Sequence, residues 1–550
     1  MEKFVVWWKR DKRYLLLVKA VLMGILPILC CLVTCAAQGK TIGDVYLPNS
    51  EWNDELFYFK QVEGIVHYGY PQGYFGFNES HALKLSFAAW SPVLVFPWVV
   101  WGLLFGWNLL SPILCNILLL TAAMVLFVCL VKPSWRQLGV LALLFCLYTH
   151  FVRYMLSAMP EIICMSLLIL FYAIAVNYLN REKTYKLVLL FLLGSVLTLM
   201  RPYMLLFLLL PVYFWVRKAG WKGLLGSLGV IAVVGAGYAM TKRYLGAEYF
   251  TPLFFTDWIT TFFAQGIGAG IHNFFGTLYW MGREFLNHTR QGFQYGLASG
   301  AFFGGYLVMM AVLLWQTMAD YLWLRREKRR EQERGKAQED EAEHNKVKNL
   351  LMIEGHLALC FVGMLFALLL MYKLTEGSKH LLTFMAVGIF VISLMKTRLY
   401  KKAVLMGAVF AYLYSYMAVN PYDYQVPFEN QDRAAQLSQW EEAIAEELSL
   451  VTRDTPNYEN VVIWLLNDNT PEGARTLNWQ LLYALPRGFG ISCCDPGYVT
   501  ENFDRLQSRY LAVVPEGTVD EMCLEAGYRE IYRDKDMALY ERASEFQSMQ

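Results

Sequence analysis

Residues 50–92 read SEWNDELFYFKQVEGIVHYGYPQGYFGFNESHALKLSFAAWSP, a polar, acidic and aromatic stretch between segments apolar enough to enter a membrane. Ordering a loop costs roughly 1–2 kcal/mol per residue in backbone entropy, so a membrane protein with no task for it joins its first spans by a short connection. The aromatic side chains of this stretch suit the membrane–water boundary. We therefore expect the chemistry of the protein to lie in this loop.

The composition is that of a polytopic membrane protein. The 550 residues are 56% hydrophobic, 16% aromatic and only 17% charged. A net charge of +2, with basic residues scattered along the chain, gives no reason to expect a nucleic-acid partner. The lipid bilayer is the partner that the composition predicts.

Apolar runs near the length that crosses a bilayer, about twenty residues, predict about eleven transmembrane helices. They lie at 14–36, 109–131, 137–152, 161–179, 187–202, 203–216, 223–240, 298–324, 349–371, 381–395 and 402–419. The apolar run 88–107 differs, because Pro92 and Pro97 interrupt it and its four tryptophans suit the interface. It predicts a helix that lies along the membrane surface without crossing.

The basic residues predict the orientation, because Lys and Arg are retained on the cytoplasmic side of short loops. Basic clusters precede the first predicted span and then follow every second span. This alternation places the amino terminus inside and the carboxyl terminus outside the plasma membrane, with the loops 37–108 and 241–297 on the outer face. Segment 14–36 has a longer apolar run than a typical signal peptide, which favours an uncleaved anchor over a cleaved signal.

The tail predicts a small extracytoplasmic α/β domain at 421–550, after a transmembrane domain at 1–420. An amphipathic helix and four strand-like runs alternate with helical segments, at 433–451, 461–466, 510–515, 529–534 and 537–542. The tail has no GxGxxG or GxxxxGK[ST] motif, so a nucleotide site is not supported. Its three cysteines leave a disulfide open, in which Cys523 would pair with Cys493 or Cys494.

The first loop contains the leading candidates for catalysis. Asp54 and Glu55 open a predicted helix, 53–67, and Tyr58 follows one turn later on the face of Asp54. Carboxylates in a first turn are also favoured by the helix dipole, so a plain structural acid pair is the alternative. Two more polar side chains follow in the same loop, Glu79 and His81.

A second group of charged residues lies at the predicted outer ends of the spans. Glu161 enters the fourth span, where a carboxylate is costly unless it faces a polar cavity, although simple helix capping would also explain it. Arg153 and Arg201 go against the positive-inside bias, and snorkelling to lipid headgroups is their alternative role. Lys379 and His380 place a cation and an imidazole at the mouth of the tenth span, a suitable place to bind a phosphate.

These features together resemble the multi-spanning GT-C glycosyltransferases. The shared layout is an amino-terminal span, a long first external loop with an acid in a membrane-lying helix, the amphipathic segment SPVLVFPWVVWGLLFGW (91–107) and a second acid after the third span. Protein O-mannosyltransferases and lipid A aminoarabinose transferases are closest in layout, and the loop text also resembles uncharacterised bacterial membrane proteins. The implied fold class is an α-helical polytopic membrane protein with a small C-terminal extracytoplasmic α/β domain.

The resemblance implies transfer of a sugar, with inversion, from a polyprenyl-phosphate carrier to a cell-envelope glycan, lipid or protein on the outer face. Asp54 matches the catalytic Asp of the first loop, and Glu161 stands where that class has an Asp. Lys379 and His380 stand where a basic–aromatic pair faces the donor. Further substrate-binding candidates are Glu55, Tyr58, Glu79, His81, Arg153 and Arg201. No cofactor is required, and because some members of the class use a metal, a divalent metal stays an open alternative.

Two other functions are compatible with the sequence. A lipid or glycan transporter or flippase would use charged residues in its spans to line a path. A non-catalytic envelope-assembly protein would use the α/β domain as its working part. The position of Asp54 and Glu161 separates these hypotheses. If both acids face one external cavity with Lys379, an enzyme is favoured, whereas acids scattered on lipid or bulk-water faces favour a binding or scaffold protein.

The orientation predicts that single cysteines at Lys336 and Gln431, in a cysteine-free background, react with thiol reagents from opposite sides of the membrane. An impermeant reagent applied to intact cells should label the cysteine at 431 and leave that at 336 unreacted until the membrane is permeabilised. Labelling of both positions from outside would overturn the predicted orientation.

Overall fold

The computed structural model describes residues 12–45, 53–69, 75–79, 92–245, 257–295, 297–334, 341–371, 374–394, 439–440, 442–444, 461–477, 482–483, 485 and 490–542. These residues form a helical membrane part and a six-stranded sheet. The predicted span 402–419, most of the predicted helix 433–451 and the candidate residue His81 lie outside the described residues.

The described helices of the membrane part are named in chain order. They are α1 (Lys12–Ala37), α2 (Asn53–Tyr68), α3 (Phe96–Phe105), α4 (Ser111–Val131), α5 (Trp135–Leu147), α6 (His150–Met155), α7 (Glu161–Asn180), α8 (Thr184–Met200), α9 (Leu205–Ala219), α10 (Trp221–Leu245), α11 (Asp257–Ala264), α12 (Ile267–Tyr295), α13 (Leu297–Arg334), α14 (Glu341–Leu370) and α15 (Leu374–Leu394). Short 3-10 turns precede α3 and α9, at Pro92–Val95 and Pro202–Met204.

The helices confirm the prediction of a polytopic membrane protein. Ten of the eleven predicted spans coincide with helices of the described chain. Within the described residues, seven helices are long and apolar enough to cross a membrane, and four shorter apolar helices lie at Pro92–Phe105, Trp135–Leu147, Thr184–Met200 and His380–Leu394. The third predicted span, 137–152, is divided, because α5 ends at Leu147 and α6 begins at His150.

Helix α3 lies where the interfacial segment was predicted. Its ten residues span about 15 Å, half of the hydrocarbon core of a bilayer, which is too short to cross. The indole nitrogen of Trp98 donates a hydrogen bond to Asn116 of α4 over 2.8 Å, and the Asn116 amide donates to the carbonyls of Tyr154 and Ser157. One buried asparagine thereby joins α3, α4 and the chain that leads into α7.

Helix α7 is the centre of the bundle. Its residues are buried almost all round, and it packs against α4, α8, α14 and α15. A helix that is apolar on every side needs such neighbours, because no face of it suits water. This central position brings its first residue, Glu161, close to the ends of the surrounding helices.

The sheet has six strands in the order β1–β5–β2–β6–β8–β7. The strands of this part are β1 (Phe75–Phe77), β2 (Val461–Leu465), the hairpin β3 (Asn467–Thr470) and β4 (Gly473–Thr476), β5 (Gly490–Cys494), β6 (Tyr510–Val513), β7 (Arg529–Arg533) and β8 (Ala538–Glu541), with helices α16 (Pro496–Asn502) and α17 (Thr518–Glu525). Strands β1, β5, β2 and β6 run parallel, while β8 is antiparallel to β6 and β7. All residues of β2, β5, β6 and β8 are buried, as expected of strands covered on both faces.

The sheet includes a strand from the first loop. Four predicted runs of the tail are strands, but β5 and the β3–β4 hairpin were not predicted. The run 69–76 has the glycine- and proline-rich composition of a turn, whereas its last residues, Phe75 and Gly76, pair in parallel with Ile491 and Ser492 of β5. The domain boundary predicted at 420 stays a prediction, because the sheet contains residues from both sides of it.

The eleven cysteines are all free thiols in the described chain. The disulfide left open for Cys523 is therefore not formed with Cys493 or Cys494. Burial raises the pKa of the Cys494 thiol to about 11, which keeps it protonated at neutral pH. These three thiols are buried in the core of the α/β domain and act as small apolar side chains.

Asp520 supplies a stability test of the α/β domain. Its carboxylate accepts hydrogen bonds from the Arg533 guanidinium over 2.8 Å, the Tyr540 hydroxyl over 2.6 Å and the Glu516 amide over 2.7 Å. Burial acts to raise the pKa of Asp520, but these bonds outweigh it and lower the pKa. A lowered folded pKa means that the stabilisation is fully present above the unfolded pKa of about 3.9. It is lost as the pH falls from that value through the lower pKa of the folded state.

We expect Asp520→Asn to lower the free energy of unfolding at pH 7 by on the order of 1–3 kcal/mol, because the asparagine amide group cannot accept the same bonds. The difference from wild type should shrink as the pH falls below about 4. Thermal unfolding in detergent, followed by tryptophan fluorescence, measures both effects. Asp504→Asn, at an exposed position, is the control; an equal loss there would refute the role of Asp520.

Candidate active site

Two prolines place charged residues at the junctions between helices. Pro160 precedes Glu161, the first residue of α7. Pro202 ends α8 at Met200 and holds the preceding residue, Arg201, in an extended conformation with φ −147° and ψ 117°, because a residue before proline disfavours the helical region. Both side chains are thereby presented at helix ends.

Glu161, Arg201 and His380 form one buried cluster, here called the ion-pair cluster. The Nη2 atom of Arg201 lies 2.5 Å from Oε1 of Glu161, and its Nη1 atom contacts Nδ1 of His380. The Tyr203 ring packs beside the His380 ring at 5.2 Å. The three polar residues are at most 1% exposed, so α7, α8 and α15 are joined by a charged contact removed from solvent.

The electrostatics of this cluster depend on the pairing of Glu161 with Arg201. Removing one partner of a buried ion pair leaves an uncompensated charge, which costs about 3–5 kcal/mol. The pair is neutral as a whole. The second carboxylate oxygen, Oε2 of Glu161, is buried and accepts no hydrogen bond from the described residues. It therefore remains a hydrogen-bond acceptor within the cluster.

Helix α2 places Tyr58 near this cluster, one turn after Asp54. The helix begins at Asn53, as predicted, with both acids in its first turn. Burial raises the pKa of the Tyr58 phenol well above its ordinary value; the Asp54 charge raises it further, Arg201 lowers it and Glu161 raises it. The buried Tyr58 hydroxyl is therefore neutral, and the charges of Asp54, Arg201 and Glu161 all act on it.

Glu55 and Glu79 have different surroundings. Glu55 is fully buried within the packing of α2. Glu79 has a positive φ of 56°, and its carboxylate accepts hydrogen bonds from the backbone amides of Gln507 and Ser508 over 2.9 and 2.6 Å. The carboxylate therefore binds the first loop to the α/β domain, and the substrate-binding role predicted for it stays a prediction.

The remaining basic candidates are placed as follows. Arg153 is buried in α6 near His150. Lys379 lies within the first part of α15, and its side chain is outside the described residues. Their predicted contacts with a donor phosphate stay predictions. Among the described residues, no group of three or more His, Cys, Asp or Glu side chains is arranged to hold a metal ion.

Two residues near the site were not predicted from the sequence. Tyr203 packs against His380 with the two rings tilted by 44°, and the tripeptide Arg201-Pro202-Tyr203 at a span boundary is a signal that could have found it. Lys60 of α2 is buried under the α/β domain. No local sequence signal indicates this burial. Lys60 does not contact the ion-pair cluster directly, but it bears on the position of Asp54.

A cavity of about 400 Å³ lies elsewhere in the bundle, at the opposite end of α7. It is lined by residues of α7, α14 and the α4–α5 connection, including Leu179, Asn349 and Lys132. The twenty residues of α7 put this end about 30 Å from Glu161. None of the predicted site residues lines this cavity. The ion-pair cluster is the candidate site because it brings a carboxylate, a guanidinium and an imidazole together.

The chain has the fold of a protein of known structure, ArnT. ArnT from Cupriavidus metallidurans, in a crystal structure with bound undecaprenyl phosphate, is 12% identical with a TM-score of 0.50, and the match covers 96% of this chain and 98% of that chain. The apo structure of the same protein has 11% identity, a TM-score of 0.43 and the same coverage. No protein-family model and no curated protein matches the sequence.

This likeness establishes the fold. Its coverage includes nearly the whole length of both chains, membrane part and tail alike. The fold is the GT-C-like fold that the resemblance implied, an α-helical polytopic bundle followed by a small α/β part.

Glu161→Gln is expected to lower the free energy of unfolding by about 3–5 kcal/mol, because it removes the negative charge that neutralises the buried Arg201 guanidinium. The double change Glu161→Leu with Arg201→Met removes both charges and should be closer to wild type in stability. Thermal unfolding in detergent compares them. Glu182→Gln, which breaks the exposed pair with Arg217, is the control and should change the free energy of unfolding little. Equal effects of Glu161→Gln and Glu182→Gln would contradict the ion-pair role.

Proposed function

We propose that the protein is a membrane glycosyltransferase that moves a sugar from a polyprenyl-phosphate carrier to an acceptor on the outer face of the plasma membrane. The observation that carries the proposal is the buried ion-pair cluster of Glu161, Arg201 and His380, with Tyr58 of the Asp54-bearing helix within reach of its charges. An acid accessible from α2 and fixed polar groups at helix ends are what such a transfer requires.

Asp54 is the proposed general base. It is partly exposed at the start of α2, so an acceptor hydroxyl can reach it, and its carboxylate would take the proton of that hydroxyl. The acceptor oxygen then bonds to the anomeric carbon of the sugar on the face opposite the phosphate. The bond from that carbon to the phosphate oxygen breaks, and the polyprenyl phosphate leaves with the electron pair. A single displacement of this kind inverts the anomeric carbon.

The leaving phosphate requires positive charge, which pre-positioned groups supply best. Arg201 is held by Glu161 and His380, so its position is fixed before substrate arrives. Because the Glu161–Arg201 pair is neutral and the imidazole of His380 accepts a hydrogen bond from Arg201, a net cation would come from Lys379 or from Arg153. Tyr58 would complete this group as a neutral hydrogen-bond donor.

Two further observations support the proposal. ArnT has the same fold over nearly its whole length and was solved with undecaprenyl phosphate, a polyprenyl-phosphate lipid. The proposed orientation, with the amino terminus inside and the carboxyl terminus outside, puts α2 and the six-stranded sheet on the outer face. The carrier lipid would then enter from the bilayer between spans, and the acceptor from the aqueous side.

We expect Asp54→Asn to lower the rate of transfer by about 10²–10⁴-fold, because asparagine keeps the shape of the side chain but cannot accept a proton. Glu55→Gln should lower it far less, because adjacent helical residues point about 100° apart and only one can face the acceptor. Membranes containing each variant are incubated with labelled polyprenyl-phosphate sugars, and label is followed into lipid, glycan and protein fractions, normalised to folded protein.

Near wild-type transfer by Asp54→Asn would remove Asp54 from the mechanism. Label that crosses the membrane without entering any acceptor would instead favour a transporter of lipid-linked glycans. The fraction that takes up label also identifies the acceptor class.

A further inference from the structure

Lys60 is a buried lysine whose ammonium group is fully paired. An ammonium has three N–H donors, and the described acceptors around Nζ of Lys60 are Oε2 of Glu63 at 2.9 Å, the Leu485 carbonyl at 2.8 Å and the Tyr483 carbonyl at 3.4 Å. The residue is 3% exposed. Since a buried charge is costly unless paired and hydrogen-bonded, such complete pairing indicates a structural position that tolerates few replacements.

The contact joins two distant parts of the chain. Lys60 belongs to α2 of the first loop, whereas Tyr483 and Leu485 belong to the α/β domain, more than four hundred residues later. The Phe59 ring adds to the same contact, packing against the Tyr483 ring at 5.1 Å and the Trp107 ring at 5.2 Å. Helix α2 is therefore held between the α/β domain and the segment that follows α3.

The two faces of α2 have different neighbours. At about 100° per residue, Asp54 and Tyr58 lie within about 40° of each other around the helix axis. Lys60 lies about 120° from Asp54, measured the shorter way round, and Glu63 lies about 180° from Asp54. Asp54 shares a face with Tyr58, on which the charges of Arg201 and Glu161 act, and Lys60 and Glu63 are on the face that meets the α/β domain. A helix held from one face presents the other face in a fixed position.

A second attachment follows directly in the chain. Residues 69–74 separate α2 from β1, which forms the edge strand of the six-stranded sheet beside β5. Beyond β1, Glu79 accepts hydrogen bonds from the amides of Gln507 and Ser508, and its own amide donates to the Ser492 hydroxyl over 2.7 Å. The first loop is thus bound to the α/β domain both within α2 and after it.

We propose that Lys60 is a positioning residue, which fixes the Asp54-bearing helix to the α/β domain and so makes that domain a structural part of the transfer site. The proposal rests on the function proposed above, in which Asp54 is the base. Lys60 touches neither substrate nor the ion-pair cluster in this account; it sets the distance between Asp54 and the acceptor. In this account the α/β domain holds the Asp54-bearing helix in place.

The test compares Lys60→Met, Lys60→Arg and Glu63→Gln in the full-length protein. Lys60→Met removes the cation and keeps most of the apolar stem, and we expect kcat for transfer from a labelled polyprenyl-phosphate sugar to fall about tenfold to a hundredfold. The donor KM should stay within about twofold, because the donor phosphate contacts lie on the other face of α2.

Lys60→Arg keeps donors to both carbonyls and should recover much of kcat. Glu63→Gln, a milder change that leaves both carbonyl contacts, should give a smaller fall in kcat. Lys535→Met, the same substitution at an exposed position of the α/β domain, is the matched control and should match wild type.

A second measurement is independent of activity. Hydrogen exchange of the α2 amides, followed by mass spectrometry, should become faster in Lys60→Met and remain as in wild type in Lys535→Met. Faster exchange with a selective fall in kcat supports the proposal. Wild-type kcat in Lys60→Met, wild-type exchange in α2, or a rise in donor KM equal to the fall in kcat would each overturn it.

The two proposals fail differently. If Asp54→Asn transfers sugar normally, the proposed function of Asp54 fails whatever Lys60 does. If Asp54→Asn is inactive but Lys60→Met transfers normally, the function stands and the positioning role of Lys60 is refuted. Should Lys60→Met not fold, Glu63→Gln alone decides, and a wild-type kcat there overturns the proposal.

Discussion

The buried ion pair of Glu161 with Arg201 is the interaction on which the arrangement of the bundle ends depends. Charged groups are excluded from the apolar interior unless they are paired, so this pair fixes the start of α7 against the end of α8. His380 adds α15 to the same contact. Three helices that are otherwise held by non-directional apolar packing thereby acquire one defined register where chemistry requires it.

Local patterns in the sequence predicted the membrane part well. Long apolar runs specify spans because every backbone polar group in a bilayer must be paired within the helix. The Pro160-Glu161 and Arg201-Pro202 steps are equally local, since proline determines where a helix can begin or end. The start of α2 at Asn53 and the short α3 follow from first-turn acids and interrupting prolines in the same way.

Long-range pairing was the part that the sequence did not predict. The Gly-Tyr-Pro-Gln-Gly run before Phe75 is typical of a turn, yet the residues that follow it join a sheet whose other strands lie almost four hundred residues later. The run GISCC of β5 was missed because its small thiols carry little strand signal outside a buried core. The pairing of Glu79 with two amides and of Lys60 with two carbonyls has no local sequence signal at all.

These long-range contacts resolve the question raised by the length of the first loop. Ordering its residues costs roughly 1–2 kcal/mol each in backbone entropy, and a base on a loop free to move would be displaced from its acceptor for much of the time. The loop offsets that cost by burying Phe59 and Lys60 against the α/β domain and by adding β1 to its sheet. The proposed base, carried on a helix that the α/β domain supports, would keep its distance to the acceptor. The α/β domain and the first loop are therefore best understood as one structural unit that includes the Asp54-bearing helix.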